Sequence, residues 1–235
     1  AVKGQIKLSA MTLLEREWPE LWQTIDAVAE RVGGGSIMTV YRARTRSGED
    51  EVIKVRNPNI QYHLEETYRF ASAVLAILKE RHGGAYAAAQ GALEDIKRWI
   101  EADIGFEGFL EDDARFHAAH NGWRAGENPY AIRIPKSKGP TSSFFMREEY
   151  IEGKNLTKWD ELVAEGHDMK QIVSLLTKNY LTQIREGLVH SDVHVGNFRI
   201  TPEHEIAVLD RNFYLKLSDA EQGIIAALIN PFASA

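Results

Sequence analysis

His190-Ser191-Asp192-Val193-His194-Val195-Gly196-Asn197 places an acid and an amide at the spacing H-x-D-x-x-x-x-N. The apolar run Ile206-Ala207-Val208-Leu209 follows and ends on Asp210. This order fits a phosphoryl-transfer loop and its metal-binding partner. An Asp carboxylate there accepts or orients the proton of an attacking hydroxyl. An amide oxygen one turn later reaches a Mg2+ held on phosphates, and a second carboxylate at the end of a strand completes the metal site. Mg2+ suits this set, because it takes hard oxygen ligands, few of them from protein. Asp192 is therefore the candidate catalytic residue, Asn197 and Asp210 are candidate metal ligands, and ATP and Mg2+ are the implied cofactors. Alone, His190 reads as a core or capping histidine and Asp192 as a turn residue. The joint occurrence of loop, strand and terminal Asp carries the reading.

Toward the N-terminus, Gly33-Gly34-Gly35-Ser36-Ile37-Met38-Thr39-Val40 fits G-x-G-x-x-G-x-V, with Met38 at the third glycine. Glycines there let backbone N–H groups approach phosphate oxygens with no Cβ in the way. Downstream lies Lys54, in Val52-Ile53-Lys54-Val55. A strand lysine among apolar residues is costly to bury unless its ammonium reaches a partner. ATP phosphates and a helix glutamate would serve. Gly33, Gly34, Gly35, Ser36, Val40 and Lys54 are the nucleotide-binding candidates. The glutamate belongs on a helix after Lys54, and the pattern alone leaves Glu101, Glu107 and Glu111 open.

The 235-residue chain is 44% hydrophobic and 26% charged, the composition of an ordinary globular protein. Its net charge of −6 argues against a nucleic-acid partner, which would call for clustered Lys and Arg. The absence of cysteine excludes disulfides and thiolate chemistry. No apolar run reaches the roughly 18 residues of a membrane span, and no signal peptide is visible. The expected location is cytoplasmic or peripheral at a membrane surface.

Periodicity predicts helices over 5–16 and 19–31, strands over 37–43 and 52–55, and a long helical stretch over 60–120 broken near Gly83-Gly84. Short strands follow over 131–134 and 143–150, around a Lys138-Gly139-Pro140 turn. Helices over 156–165 and 168–187, strands over 198–200 and 206–209, and a helix over 218–229 complete the chain. Strands come early and helices late.

Six stretches resemble the UbiB/ADCK/AarF family of atypical kinases, in order along most of the chain. Lys3-Gly4-Gln5 with Ser9 resembles its K-x-G-Q signature, although Val2 stands where the lysine belongs. Residues 33–43 resemble its A-A-A-S-I-G-Q-V-x-x-A loop, with glycines for the alanines and Met38 for the glycine. Residues 52–59 resemble V-A-V-K-V-Q-x-P-G. Glu101-Ala102-Asp103 with Glu107 resembles E-L-D-Y-x-x-E, and Glu149-Tyr150-Ile151-Glu152-Gly153 resembles M-E-Y-I-E-G. Residues 190–197 resemble H-A-D-P-H-P-G-N, including His194 and Gly196. Asp210-Arg211-Asn212 departs from D-F-G, which puts the usual Phe-driven switch in doubt, and no A-P-E segment is evident.

The resemblance implies an α+β, protein-kinase-like bilobal fold. A small β-rich N-lobe would carry extra N-terminal helices, and the C-lobe would be helical. The expected organisation is a helical extension over 1–32, an N-lobe over 33–150 and a C-lobe over 151–235. The resemblance assigns Glu107 as the partner of Lys54, so the catalytic set is Asp192, Lys54 and Glu107. It places adenine on the backbone near Glu149 and Ile151, with Glu148 at an apolar gatekeeper position. It implies Mg-dependent ATP hydrolysis or phosphoryl transfer, linked to ubiquinone or other isoprenoid-lipid metabolism. The expected partners are nucleotide and an isoprenoid lipid or a lipid-biosynthesis protein. Two alternatives stay open: a small-molecule phosphotransferase of the aminoglycoside or choline kinase type, and a nucleotide-binding pseudokinase without turnover.

Overall fold

The computed structural model describes residues 12, 15–16, 18–34, 38–57, 60–79, 83–104, 109–142, 145–211 and 214–229. Its elements in chain order begin with α1 (Pro19–Thr24), β1 (Ile25–Gly34), β2 (Met38–Thr45), β3 (Asp50–Arg56), α2 (Ile60–Lys79), α3 (Gly83–Ile104) and α4 (Phe109–His120). They continue with β4 (Ala131–Arg133), β5 (Ser137–Ser142), β6 (Phe145–Glu149), β7 (Lys154–Asn155), α5 (Trp159–Ala164), α6 (Met169–Glu186) and β8 (Leu188–His190). A 3-10 turn (Val195–Asn197), β9 (Phe198–Ile200), β10 (Glu205–Val208), β11 (Tyr214–Lys216) and α7 (Asp219–Ile229) complete the list. The fold is α+β. Contacts divide it into two units, one from Ala1–Glu107 with Lys138–Glu148 and one from Gly108–Ser137 with Glu149–Ala235.

The first unit is built on a sheet in the order β1-β2-β3-β6-β5. Alternation along β2 and β3 sends Tyr41, Ala43, Ile53 and Val55 to one face, where they join Ile25 and Phe145 under Trp18 and Trp22. Val40 and Lys54 consequently share the other face.

Two expectations fail in this unit. The helix over 19–31 ends at Thr24, and the chain runs on as β1. Paired with β2 from Ile25↔Thr45 to Gly34↔Thr39, β1 carries three register shifts. Each bulge adds a residue and breaks the period of two, so the strand's apolar spacing imitates a helix. The Lys138-Gly139-Pro140 turn lies inside β5. β5 is an edge strand, where a proline with no N–H to donate is tolerated. Lys138 there reaches the carboxylates of Glu49 at 3.0 Å and Glu51 at 2.8 Å.

In the second unit a sheet runs β4-β10-β9-β7, with β4 and β10 parallel and the other pairs antiparallel. β8 pairs with β11. Helix α6 starts at the Asp168 cap, whose carboxylate accepts from the amides of Lys170 and Gln171. It stops at Gly187, in the left-handed conformation with φ 73°. Its buried stripe is Met169, Ile172, Leu175, Asn179 and Gln183, apolar first and polar last.

The polar end of that stripe forms a chain of hydrogen bonds. His120 Nδ1 meets Asn179 Nδ2 at 3.2 Å, Gln183 Nε2 donates to Asn179 Oδ1 at 2.7 Å, and Gln183 Oε1 accepts from the His190 amide at 3.0 Å. Asn179 Nδ2 is a donor, so Nδ1 of His120 is the acceptor and the ring is the Nε2–H tautomer. That N–H faces Glu186 Oε2 at 3.2 Å. Burial nevertheless dominates and pushes the His120 pKa down to about 4. Unfolded, the ring titrates near 6.5, so between pH 6.5 and about 4 the unfolded chain binds the extra proton. Stability at this site is therefore full above pH 6.5 and falls by roughly 3 kcal/mol on acidification to pH 4. Melting curves from pH 8 to 4 should show that loss together with the similar one from His190, whose pKa is also pushed down to about 4, and His120→Gln should remove about half of the combined slope.

Candidate active site

The second unit supplies the loop singled out from the sequence. β8 delivers His190, buried at 1% exposure, and the chain then turns through Asp192 to the 3-10 turn that ends at Asn197. Nδ2 of Asn197 donates to the Asp192 carbonyl and to Asp192 Oδ2, both at 3.0 Å. Both amide hydrogens are thereby engaged, and Oδ1 is the acceptor atom of the Asn197 amide. The His194 ring folds over Gly196, whose amide donates to Nδ1 at 3.1 Å. Its Nε2 therefore carries the hydrogen and faces Asp192 Oδ2 at 3.5 Å. A Cβ at Gly196 would lie 2.8 Å from that ring, so glycine is required wherever the histidine packs this way. Asp192 thus has one oxygen held from two sides and is itself 56% exposed. Such a carboxylate can accept a proton from a hydroxyl or a water.

β9 and β10 carry the chain from Asn197 to Asp210 and back to the loop. The Leu209 amide donates to the Asn197 carbonyl at 2.7 Å, and His190 Nε2 donates to the Asp210 carbonyl at 3.2 Å. His190 is the neutral Nε2–H tautomer: burial first, then the nearby Arg211 charge, push its pKa down to about 4. Asp210 takes φ 53°, a left-handed conformation rare outside glycine, asparagine and aspartate. Asn197 and Asp210, an amide oxygen and a carboxylate carried on one hairpin, suit Mg2+ completed by phosphate and water. Among the described residues no cluster of three or more His, Asp or Glu side chains offers an all-protein metal cage.

Glu149 ends β6, and Ile151 lies just beyond it. The Glu149 carboxylate pairs with Arg133, and its amide donates to the Lys136 carbonyl at 2.9 Å. The Ile151 carbonyl accepts from Arg199 Nη1 at 3.4 Å. An open depression of about 570 Å3 in this unit is lined by Glu152 and Gly153, the end of the M-E-Y-I-E-G-like stretch, and by Lys154, Lys158, His167 and Arg199 among others; it contains none of the candidate catalytic, metal or nucleotide-binding residues.

The first unit supplies the other set. Gly33 pairs with Val40, and Val40 with Lys54, so the three form one row across β1, β2 and β3. Gly34 has φ 135°, and a Cβ there would sit 2.7 Å from the Met38 carbonyl oxygen. Gly35 and Ser36 lie outside the described residues, as do Lys3, Gly4, Gln5, Ser9 and Glu107. Lys54 is 4% exposed, and its Nζ pairs with Glu148 Oε2 at 3.1 Å. Glu148, at the position expected to be an apolar gatekeeper, is thus a buried acid against the lysine.

Sequence reasoning missed the Lys54–Glu148 pair and the packing of Arg211. Arg211, directly after Asp210, is fully buried and bonded to Asp113. A charged residue in the run Val208-Leu209-Asp210-Arg211 was the available signal.

A family model described as the ABC1 atypical kinase-like domain matches residues 4–234. AarF domain-containing kinase 1 of Drosophila melanogaster is 28% identical over 201 residues, which is 81% of this chain and 36% of that protein. The probable protein kinase UbiB of Vibrio campbellii is 25% identical over 185 residues, 74% of this chain and 31% of that protein. The chain spans about half or less of the length of such curated relatives. Among solved structures, Rv3197 of Mycobacterium tuberculosis, determined with erythromycin, superposes with a TM-score of 0.71 at 19% identity. That match covers 92% of this chain and 52% of Rv3197, and it shows a shared fold.

Proposed function

The chain belongs to the ABC1 atypical kinase-like family, and from that premise we propose that it binds Mg2+·ATP and either hydrolyses it or passes the terminal phosphoryl group to a small or lipid-linked acceptor. One observation carries the reading. The Asn197 amide is turned so that its hydrogens hold Asp192 and its oxygen is left for a metal, while Leu209 and His190 tie the same loop to Asp210. Asp192 orients the nucleophile and takes up its proton. Asn197 and Asp210 hold the metal. Lys54 and the glycine-rich turn hold phosphates, with Glu107 as a further partner of the lysine, and the backbone near Glu149 and Ile151 receives adenine. A bound Mg2+ neutralises charge that develops on the transferring phosphoryl group.

The link to isoprenoid lipids rests on the family resemblance. The same resemblance is the ground for proposing a place in the cytoplasm or at a membrane surface; no helix among the described residues is long and apolar enough to cross a membrane. A second reading is a module that binds nucleotide without turnover; it is favoured by the acid Glu148 standing against Lys54 where the resemblance implies an apolar gatekeeper.

A thermal-shift titration with ATP and ADP, with and without Mg2+, tests the first reading, followed by ATPase assays with and without isoprenoid-lipid vesicles. Ligand at a hundred times its Kd should add about 2.7 kcal/mol to apparent stability. In a chain of this size that is a shift of roughly 5–10 °C. No shift with Mg2+·ATP would sink the reading. A shift with no hydrolysis under any condition would select the module without turnover.

A further inference from the structure

We propose that Arg211 is a positioning residue that, locked to Asp113, holds the Asp210 loop permanently in one conformation, so that the metal ligand is fixed in place before nucleotide arrives. The inference rests on the nucleotide reading above and adds to it a residue pair and a mode of action. Family members carry D-F-G at this point by resemblance, where the chain here reads Asp210-Arg211-Asn212.

The guanidinium is tied on every side. Nε donates to Asp113 Oδ1 at 3.0 Å, Nη1 to the Val208 carbonyl at 2.7 Å and Nη2 to the Pro135 carbonyl at 2.8 Å. Asp113 is just as enclosed, at 2% exposure, and accepts the Tyr214 hydroxyl and, at 2.6 Å, the Ser137 hydroxyl. Burial alone would push the Asp113 pKa up, but the Arg211 charge and these hydrogen bonds outweigh it and hold the carboxyl ionised. One side chain thus joins β10, α4 and the segment before β5, and its own backbone follows directly from Asp210.

Two features point to positioning rather than to packing alone. First, an apolar side chain of similar volume would fill such a site at least as stably as a buried ion pair. The charged pair offers direction instead, since a planar fork bonded at three edges admits one orientation. Second, Asp210 sits at φ 53°, a left-handed conformation that aspartate tolerates but does not prefer, so contacts on either side of it help to hold it. Arg211 on one side, and His190 on the Asp210 carbonyl on the other, supply those contacts. A phenylalanine could slide in and out of a pocket. A guanidinium leaving these partners would strand a buried carboxylate.

The test compares ATP affinity with and without Mg2+ in the wild type and in the neutral pair Arg211→Gln with Asp113→Asn. The clamp predicts that metal-free ATP affinity stays within twofold while the enhancement by Mg2+ falls at least tenfold. A smaller fall overturns it. No enhancement in the wild type overturns the nucleotide reading, and the clamp with it. Hydrogen exchange on the wild type decides the matter even if the variant fails to fold. Amides over 209–211 should exchange slowly without ligand and at the same rate with Mg2+·ATP. Fast exchange that slows only on ligand binding would show a movable loop and overturn the clamp.

Discussion

Lys54→Ala is expected to lower stability and nucleotide affinity together. The stability loss comes from Glu148. Both side chains are about 5% exposed or less, and the substitution takes from a buried carboxylate its cation at 3.1 Å. Breaking a buried ion pair from one side costs roughly 3–5 kcal/mol, enough to lower the melting temperature by several degrees. The affinity loss comes from the phosphates, which would lose a direct positive charge. These effects must be separated before Lys54 is given a functional role. The double variant Lys54→Met with Glu148→Leu does so, because it replaces the pair with apolar side chains of similar volume, the kind of exchange that buried pairs often tolerate. We expect it to regain most of the stability and none of the ATP affinity, measured by melting and by titration on the same samples. If the double variant binds ATP as tightly as the wild type, Lys54 is a structural residue and the phosphate role is wrong.

Asp210→Asn is expected to remove the Mg2+-dependent part of ATP binding and leave the fold untouched. Asparagine is the natural replacement here because, with aspartate, it tolerates the left-handed backbone that the position requires. The Asp210 carbonyl still accepts from His190, and Arg211 keeps its partners. The substitution keeps the side chain's shape, removes its charge and exchanges one carboxylate oxygen for an NH2 group. Disturbing even the outer partners of a metal ligand costs roughly tenfold to a hundredfold in metal affinity, so loss of a charged ligand should cost at least that. The check is the ATP affinity ratio with and without Mg2+, alongside an unchanged melting temperature without ligand. An unaltered ratio would rule out a metal role for Asp210.

What could be read in advance was local. The segment from His190 to Asn197 and the strand leading to Asp210 stand out because the pattern they match is one of spacing along the chain. The structure adds why His194 and Gly196 occur together: one is the ring and the other the space it needs. β1 was illegible because its bulges disguise a strand as a helix. The Lys54–Glu148 pair was illegible for another reason. The resemblance pointed to Glu107, which lies outside the described residues, while Glu148 comes from a strand far along the chain and no periodicity marks it. Arg211 and Asp113 are nearly a hundred residues apart, and each alone reads as a surface charge. The polar end of the α6 stripe was likewise hidden, since Asn179 and Gln183 look solvated until His120 and His190 are seen beside them.

The interleaved make-up of the two units bears on how the protein is born. Vectorial synthesis delivers β1, β2 and β3 early, but their sheet gains its last two members only when the ribosome has passed Glu148. Before then α4 and β4 have also emerged, and their own partners, β8 through β11, are still untranslated. Two half-built cores therefore wait exposed at once, a state in which unpaired strands and apolar faces invite aggregation. A nascent chain paused between about residues 110 and 145 should be the form most dependent on chaperones.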